Sequence, residues 1–344
     1  NENQDMRKSK YLILSEFYFD FNDDLTEITN VKELFENQNI IDLFRFNNIK
    51  SIRKNDFLNY SSTFIYLPVS IEKIDECAFS ENKIQILNLS NCINLKNIDV
   101  YAFSDSEIKL LKLPQNIETL GNGAFKYNQI ESLDLSQYIH LKYIGDYSFS
   151  SNQIKQLKIP KNIEKINYCA FDDNQIESLD LSNCINLKVI GYGAFANNQI
   201  KQLKLPDSIK LIDVSAFSSN KIEILDISNC TNLNNIKFGV MRYNKIKQLK
   251  LPKNIMTIEE NAFETNEIEI LDLLEYNQLK NIFFYAFSSN PIKEVKILDN
   301  IEIEYDIDYY KNDMWNNFAK YYDKNEKKAG DYKYIYNKWQ WYPL

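Results

Sequence analysis

The sequence predicts a repeat solenoid: an α/β-type right-handed coil, mostly β, with a parallel sheet on one face and short helical or turn segments opposite. Three observations predict it. Ile-x-x-Leu-x-Leu segments begin at Ile84, Ile108, Ile130, Ile154, Ile176, Ile200, Ile222, Ile246, Ile268 and Ile292, in steps that alternate between 24 and 22 residues. A phenylalanine column keeps the same alternation from Phe79 to Phe287, with Met241 in one place. An asparagine precedes the strands, as at Asn152, Asn174, Asn198 and Asn220. A fixed period in the twenties marks a solenoid with one strand per coil, and such a coil buries its apolar side only against its neighbours.

Within a coil, side chains alternate across the strand, so Leu179 and Leu181 point inward while Ser178 and Asp180 point outward. The motif strands are expected to lie side by side in parallel. The preceding asparagine is expected to bond backbone groups at the bend. Proline ends alternate strands, as in Leu113-Pro114 and Leu205-Pro206, because it has no ladder donor. After the strand come Ile185, Leu187 and Ile190, then Ala194-Phe195, and the phenylalanines should stack on the convex side. Two degenerate coils, at 38–43 and 62–67, extend the array backwards.

These readings divide the chain into an N-terminal cap (1–37), a solenoid (38–298) and a C-terminal cap (299–344). In the first cap, Phe17 to Phe21 reads as a strand and Asn30 to Asn37 as a short helix with Asn30 as N-cap. In the last, Asn312 to Asn325 reads as an amphipathic helix. Tyr332 to Tyr336 and the Trp-Gln-Trp-Tyr run then form a hairpin turning at Asn337-Lys338.

Composition narrows the function classes. The net charge is −8. That disfavours nucleic acid and anionic membrane surfaces, both of which select basic proteins. No apolar run is long enough to span a bilayer, so direct membrane insertion is not expected. Residues 1–10 are polar and show no signal peptide; because the chain opens on Asn, a leader removed ahead of it is the expectation. The five cysteines follow repeat slots (Cys92, Cys184 and Cys230 in one, Cys77 and Cys169 in another), which reads as small buried packing residues. With a single histidine, His140, and no close Cys/His spacing, neither a metal nor a cofactor is expected.

The outward strand positions carry a charge ladder. One column runs from Asn88 and Lys112 through Lys158, Asp180, Lys204 and Asp226 to Lys296; a second alternates glutamate and lysine from Lys109 to Lys293. Opposite charges on adjacent strands contribute roughly 0.2–1 kcal/mol per pair. Two coils depart from the consensus. One brings in Tyr138, His140, Tyr143 and Tyr147; the other reads Met241-Arg242-Tyr243. Exposed tyrosine and arginine are common interface anchors. The candidate protein-binding residues are therefore Tyr138, His140, Tyr143, Tyr147, Arg242 and Tyr243, with Lys158, Asp180, Lys204 and Asp226 from the ladder. An enzyme is not expected. There is no phosphate-cradling glycine loop, triad chemistry would depend on His140, and the ladder carboxylates are flanked by lysines that keep them ionised.

The Leu-Pro strands followed by Ile-x-x-Ile-x-x-x-Ala-Phe, as in LKLPQNIETLGNGAF and LKIPKNIEKINYCAF, resemble the BspA-like leucine-rich repeat family over roughly 38–298. The tail KKAGDYKYIYNKWQW resembles one seen after such arrays in bacterial surface proteins. The resemblance implies a cell-surface or secreted protein. Its partner would be a host extracellular matrix, plasma or cell-surface protein, or another cell. A passive surface-layer or spacer protein without a specific ligand is the alternative.

Overall fold

The computed structural model describes residues 19–22, 26–31, 39–44, 46–306 and 313–344. It consists of two compact units, residues 1–154 and 155–344. Both are built from solenoid coils of parallel strands, with one 11-residue helix among the described residues.

Each coil carries two short strands. The motif strands occupy Ile40–Asp42, Phe64–Tyr66, Ile86–Asn88 and Leu110–Lys112 at the start of the first unit. In the second unit they include Ser178–Asp180, Gln202–Lys204, Ile224–Asp226, Gln248–Lys250 and Ile270–Asp272. The second strand is two residues long. In the first unit these strands form a parallel ladder through Ser51–Ile52, Lys73–Ile74, Asn97–Ile98, Thr119–Leu120 and Tyr143–Ile144.

The motif strands lie side by side in parallel, as expected. The motif strands do not form one uninterrupted sheet. They hydrogen-bond in pairs, Ile40–Asp42 with Phe64–Tyr66 and Ile86–Asn88 with Leu110–Lys112, and likewise 178–180 with 202–204 and 224–226 with 248–250. Each pair spans a long step of the repeat, and the short steps carry Leu-Pro, or Ile159-Pro160, after the strand. Within a pair, the amide after the first strand donates to the second, as Leu89 does to the Lys112 carbonyl. After two of the Leu-Pro strands this bond is diverted: the Leu113 and Leu251 amides donate instead to the hydroxyls of Tyr138 and Tyr276. The proline that follows has no amide to offer.

The interior follows the sequence closely. Phe57, Phe79, Phe103, Phe125 and Phe149 stack with ring centroids 5.2–5.7 Å apart. Phe171, Phe195 and Phe217 continue the pattern in the second unit, as do Phe263 and Phe287. Asparagine clamps lock one coil to the next. Asn198 donates to the carbonyls of Phe171, Phe195 and Ala196, and its carbonyl oxygen accepts the Ile176 amide. Asn82, Asn128, Asn220, Asn244, Asn266 and Asn290 are likewise buried, and Asn82 makes the same four kinds of bond. A buried coil-to-coil bend exposes no backbone group to water, so a side chain with two donors and an acceptor is required there.

The pattern falters once in the second unit. Leu211–Ile212 ends one ladder and Asn235–Ile236 begins another. A cavity of about 10 Å³ lies at this break, lined by Ile212, Leu225, Leu233, Ile236, Met241 and Phe263 among others. It is where Met241 replaces the ring.

Residues near each end of the sequence add rings to the aromatic column of their own unit. Phe19–Phe21 pairs antiparallel with Ile28–Val31, and Phe19 meets Phe57 edge-on at 6.2 Å. Asn30 therefore lies in a strand rather than at a helix N-cap, and the rest of the expected helix falls outside the described residues. The helix Met314–Lys324 buries Trp315, Phe318, Ala319 and Tyr322. Trp315 lies 4.9 Å from Phe287. The N-cap Asp313 accepts the Asn316 amide and also the Ser289 amide, tying the helix start to the last coil. The hairpin Gly330–Ile335 and Lys338–Tyr342 then pairs antiparallel with the last motif strand, Glu294–Ile297. Its turn is centred on Tyr336-Asn337, both left-handed (φ 51° and 63°), one residue earlier than expected.

Candidate functional site

The residues singled out from sequence occupy several environments. Tyr138 is buried, and its hydroxyl accepts the Leu113 amide at 3.2 Å and donates to the Leu113 carbonyl. It is a core group and is not on the surface, contrary to its expected place among exposed anchors. Cys92, Cys184 and Cys230, in the same repeat slot, donate instead to the carbonyls of Pro68, Pro160 and Pro206. Burial pushes these three thiols up to about 11, which makes them poor nucleophiles. His140 and Tyr143 are exposed; Tyr147 is half-buried in a left-handed turn, its ring 4.6 Å from the Lys126 ammonium. Tyr127 lies on the same ammonium at 4.5 Å. Arg242 and Tyr243 do come together, guanidinium over ring at 4.5 Å, but the guanidinium is also held by the buried carboxylate of Glu264.

The charge ladder is real, and its lysines are secondary to a turn. Lys204 lies 3.5 Å from Asp180 and Lys250 lies 3.7 Å from Asp226, each across a hydrogen-bonded strand pair. Lys158 is exposed. Each aspartate, however, accepts both the amide and the hydroxyl of the serine two residues on. The Ser182 hydroxyl and amide hold the Asp180 carboxyl below its ordinary range, with Lys204 contributing less; the Ser228 hydroxyl leads at Asp226. The carboxylates are thus fixed by their own turn, and the exposed ion pairs add little.

A different surface stands out on the same face. At the first outward position of the motif strand, the second unit presents Ser178, Gln202, Ile224, Gln248 and Ile270. Apolar residues are separated there by polar ones. The first unit presents Ile40, Phe64, Ile86 and Leu110 on four successive coils, 44 to 62% exposed. Phe64 lies in register with Ile40, and Leu110 with Ile86. Tyr66 replaces the charge in the neighbouring column, and Phe44, Val69 and Ile93 are exposed in the turns that follow the strands. Isolated exposed apolar residues are ordinary, but a contiguous patch marks an interaction site. The sequence carried the signal: Ile86 occupies the place of Ser178, which alternation points outward.

Among the described residues no group of three or more His, Cys, Asp or Glu side chains is arranged to hold a metal. No described helix is long and apolar enough to cross a membrane.

The repeats that build these coils match one family. The model of the BspA type leucine rich repeat region matches residues 26–140, 134–244 and 231–314, in six copies. The chain belongs to this family. Among solved structures, a leucine-rich repeat protein from Bacteroides ovatus is 18% identical, with 83% of this chain and 88% of that one covered and a TM-score of 0.51. The pneumococcal vaccine antigen PcpA is 16% identical, with 76% and 75% covered and a TM-score of 0.45. At such identities the likeness is one of fold, and fold does not carry function with it. No curated protein matches the sequence.

Proposed function

We propose that this BspA-type repeat chain is a protein-binding scaffold of a cell-surface or secreted protein, and that it adheres through the motif-strand face of its first four coils. The observation that supports this reading is the unbroken apolar row Ile40, Phe64, Ile86 and Leu110 on an otherwise polar, ion-paired face. Solenoid faces offer extended, rigid binding surfaces, and large apolar side chains held on them give up little entropy on docking. On this reading the residues before 38 and after 298 close the ends of the coil stack. Host matrix and plasma proteins, or proteins of other cells, are the partner class.

The test is surface plasmon resonance against a panel of matrix and plasma proteins. The reading expects at least one partner to bind the natural chain and to be lost with the Phe64→Lys/Leu110→Lys variant. The Ile224→Lys variant should bind as before. Binding that survives both changes moves the site elsewhere. A panel with no binder favours the second reading, a spacer without a ligand. That alternative is supported by the regular two-coil repetition from 130 to 227, in which acidic and lysine coils alternate without interruption.

A further inference from the structure

The first four coils carry more than an apolar row. Their second outward column reads Asp42, Tyr66, Asn88, Lys112. An acid stands at one end and a base at the other. In the second unit, the acids and bases of this column neutralise each other across strand pairs. Asp42 and Lys112 lie in different pairs, and neither forms an ion pair among the described residues; Asp42 accepts only the Phe44 amide.

This order is self-complementary. Consider two copies packed face to face about a two-fold axis parallel to the strands. The axis reverses the coil order of one copy against the other and keeps each column facing itself. Coil one then meets coil four, and coil two meets coil three. Ile40 faces Leu110 and Phe64 faces Ile86, so the apolar row meets an apolar row. Asp42 faces Lys112 and Tyr66 faces Asn88, and each contact occurs twice, as an isologous interface requires. The other two-fold axis in the plane of the interface, along the stack, sets Asp42 against Ile40 and Lys112 against Leu110. That arrangement buries charges opposite hydrocarbon, which is costly. Charge and hydrophobicity therefore favour one arrangement.

We propose that this face also docks a second copy of the chain, antiparallel through coils one to four, in competition with any other protein that binds there. This rests on the reading of the same face as a protein-docking surface, and it names one occupant. The apolar row forms the core of the contact. Asn39, Thr63, Gln85 and Lys109 border it on the other side and supply a polar rim, the usual anatomy of a protein interface.

Sedimentation velocity of the full chain over a concentration series tests the proposal, with circular dichroism confirming that each variant is folded. The natural chain should show a concentration-dependent dimer, and Phe64→Lys/Leu110→Lys should be monomeric throughout. Lys112→Asp alone places two acid pairs in the homodimer, and Asp42→Lys alone places two base pairs in it. Each should weaken self-association by about tenfold or more. Mixing these two single variants should restore dimerisation, because every facing pair in the mixed species is again of opposite sign. A natural chain that stays monomeric overturns self-docking and leaves the protein-binding reading to the panel above. A dimer that persists in Phe64→Lys/Leu110→Lys places the contact on another surface. Single variants that fail to recover on mixing overturn the antiparallel register.

Discussion

The face of coils 40–112 and the face of coils 178–272 are built on the same interior and present opposite surfaces. Behind both lie stacked phenylalanines at closely similar spacing and the same buried asparagine clamp. In front, the later coils set aspartate against lysine across each strand pair and dilute isoleucine with glutamine and serine. The early coils set isoleucine, phenylalanine and leucine side by side. The difference teaches that one interior accommodates either kind of outward column, so those columns are free to specialise. A charge ladder makes a self-neutral, poorly adhesive surface; an apolar row makes a sticky one.

The largest expected effect tests the shared interior. Asn198→Ala strips partners from three buried carbonyls and one amide, and Asn82→Ala does the same in the first unit. Each unsatisfied buried group costs about 1–3 kcal/mol, so each variant should lose about 3 kcal/mol or more in urea denaturation. Similar losses confirm a common interior; a loss in only one unit breaks the comparison. The next effect is on binding. Phe64→Lys should reduce the affinity of any ligand of the early face by about 2 kcal/mol, the scale of an aromatic hot spot, while stability changes by under about 0.5 kcal/mol. Ile224→Lys should leave both unchanged.

A smaller effect separates turn from ladder in the later coils. Asp180 is held below its ordinary range first by Ser182 and only then by Lys204. A depressed carboxylate stabilises the folded chain above its unfolded pKa, and that contribution is lost as pH falls through the lower folded value. Ser182→Ala should therefore move the Asp180 titration, followed by NMR of the side-chain carboxyl, upward by more than Lys204→Ala does. Lys204→Ala should cost under about 1 kcal/mol, as exposed pairs do. The smallest effect is at Met241→Phe. It restores the ring to the column beside a cavity of about 10 Å³ and should shift stability by under about 1.5 kcal/mol either way.

Much of this was legible in the sequence, because a repeat is its own reference. The period, the inward leucines, the asparagine at the bend, the C-terminal helix and its hairpin all rest on local chemistry repeated many times. Three things were not legible, for physical reasons. The motif strands pair two by two, and the acceptor that the Leu113 amide finds in place of a strand partner is the Tyr138 hydroxyl, 25 residues away. The same bond draws Tyr138 into the core, although tyrosine in a deviant coil reads as a surface anchor. The aspartates read as members of a charge ladder because Ser182 and Ser228 look like ordinary loop residues until their hydroxyls are seen on Asp180 and Asp226. The apolar row on the early face was available from strand alternation.

The pairwise bonding of the motif strands also sets how such a chain can change length. Ile176 to Ile222 is one full cycle of 46 residues, 24 + 22, carrying one bonded strand pair, one Leu-Pro step and one acid–base couple. Inserting or deleting that cycle returns every clamp, proline and charge to an equivalent neighbour, whereas a single coil would set two like steps in succession. The repeating unit of the architecture is thus two coils, and adding or removing one such unit keeps each step, clamp and charge beside an equivalent neighbour.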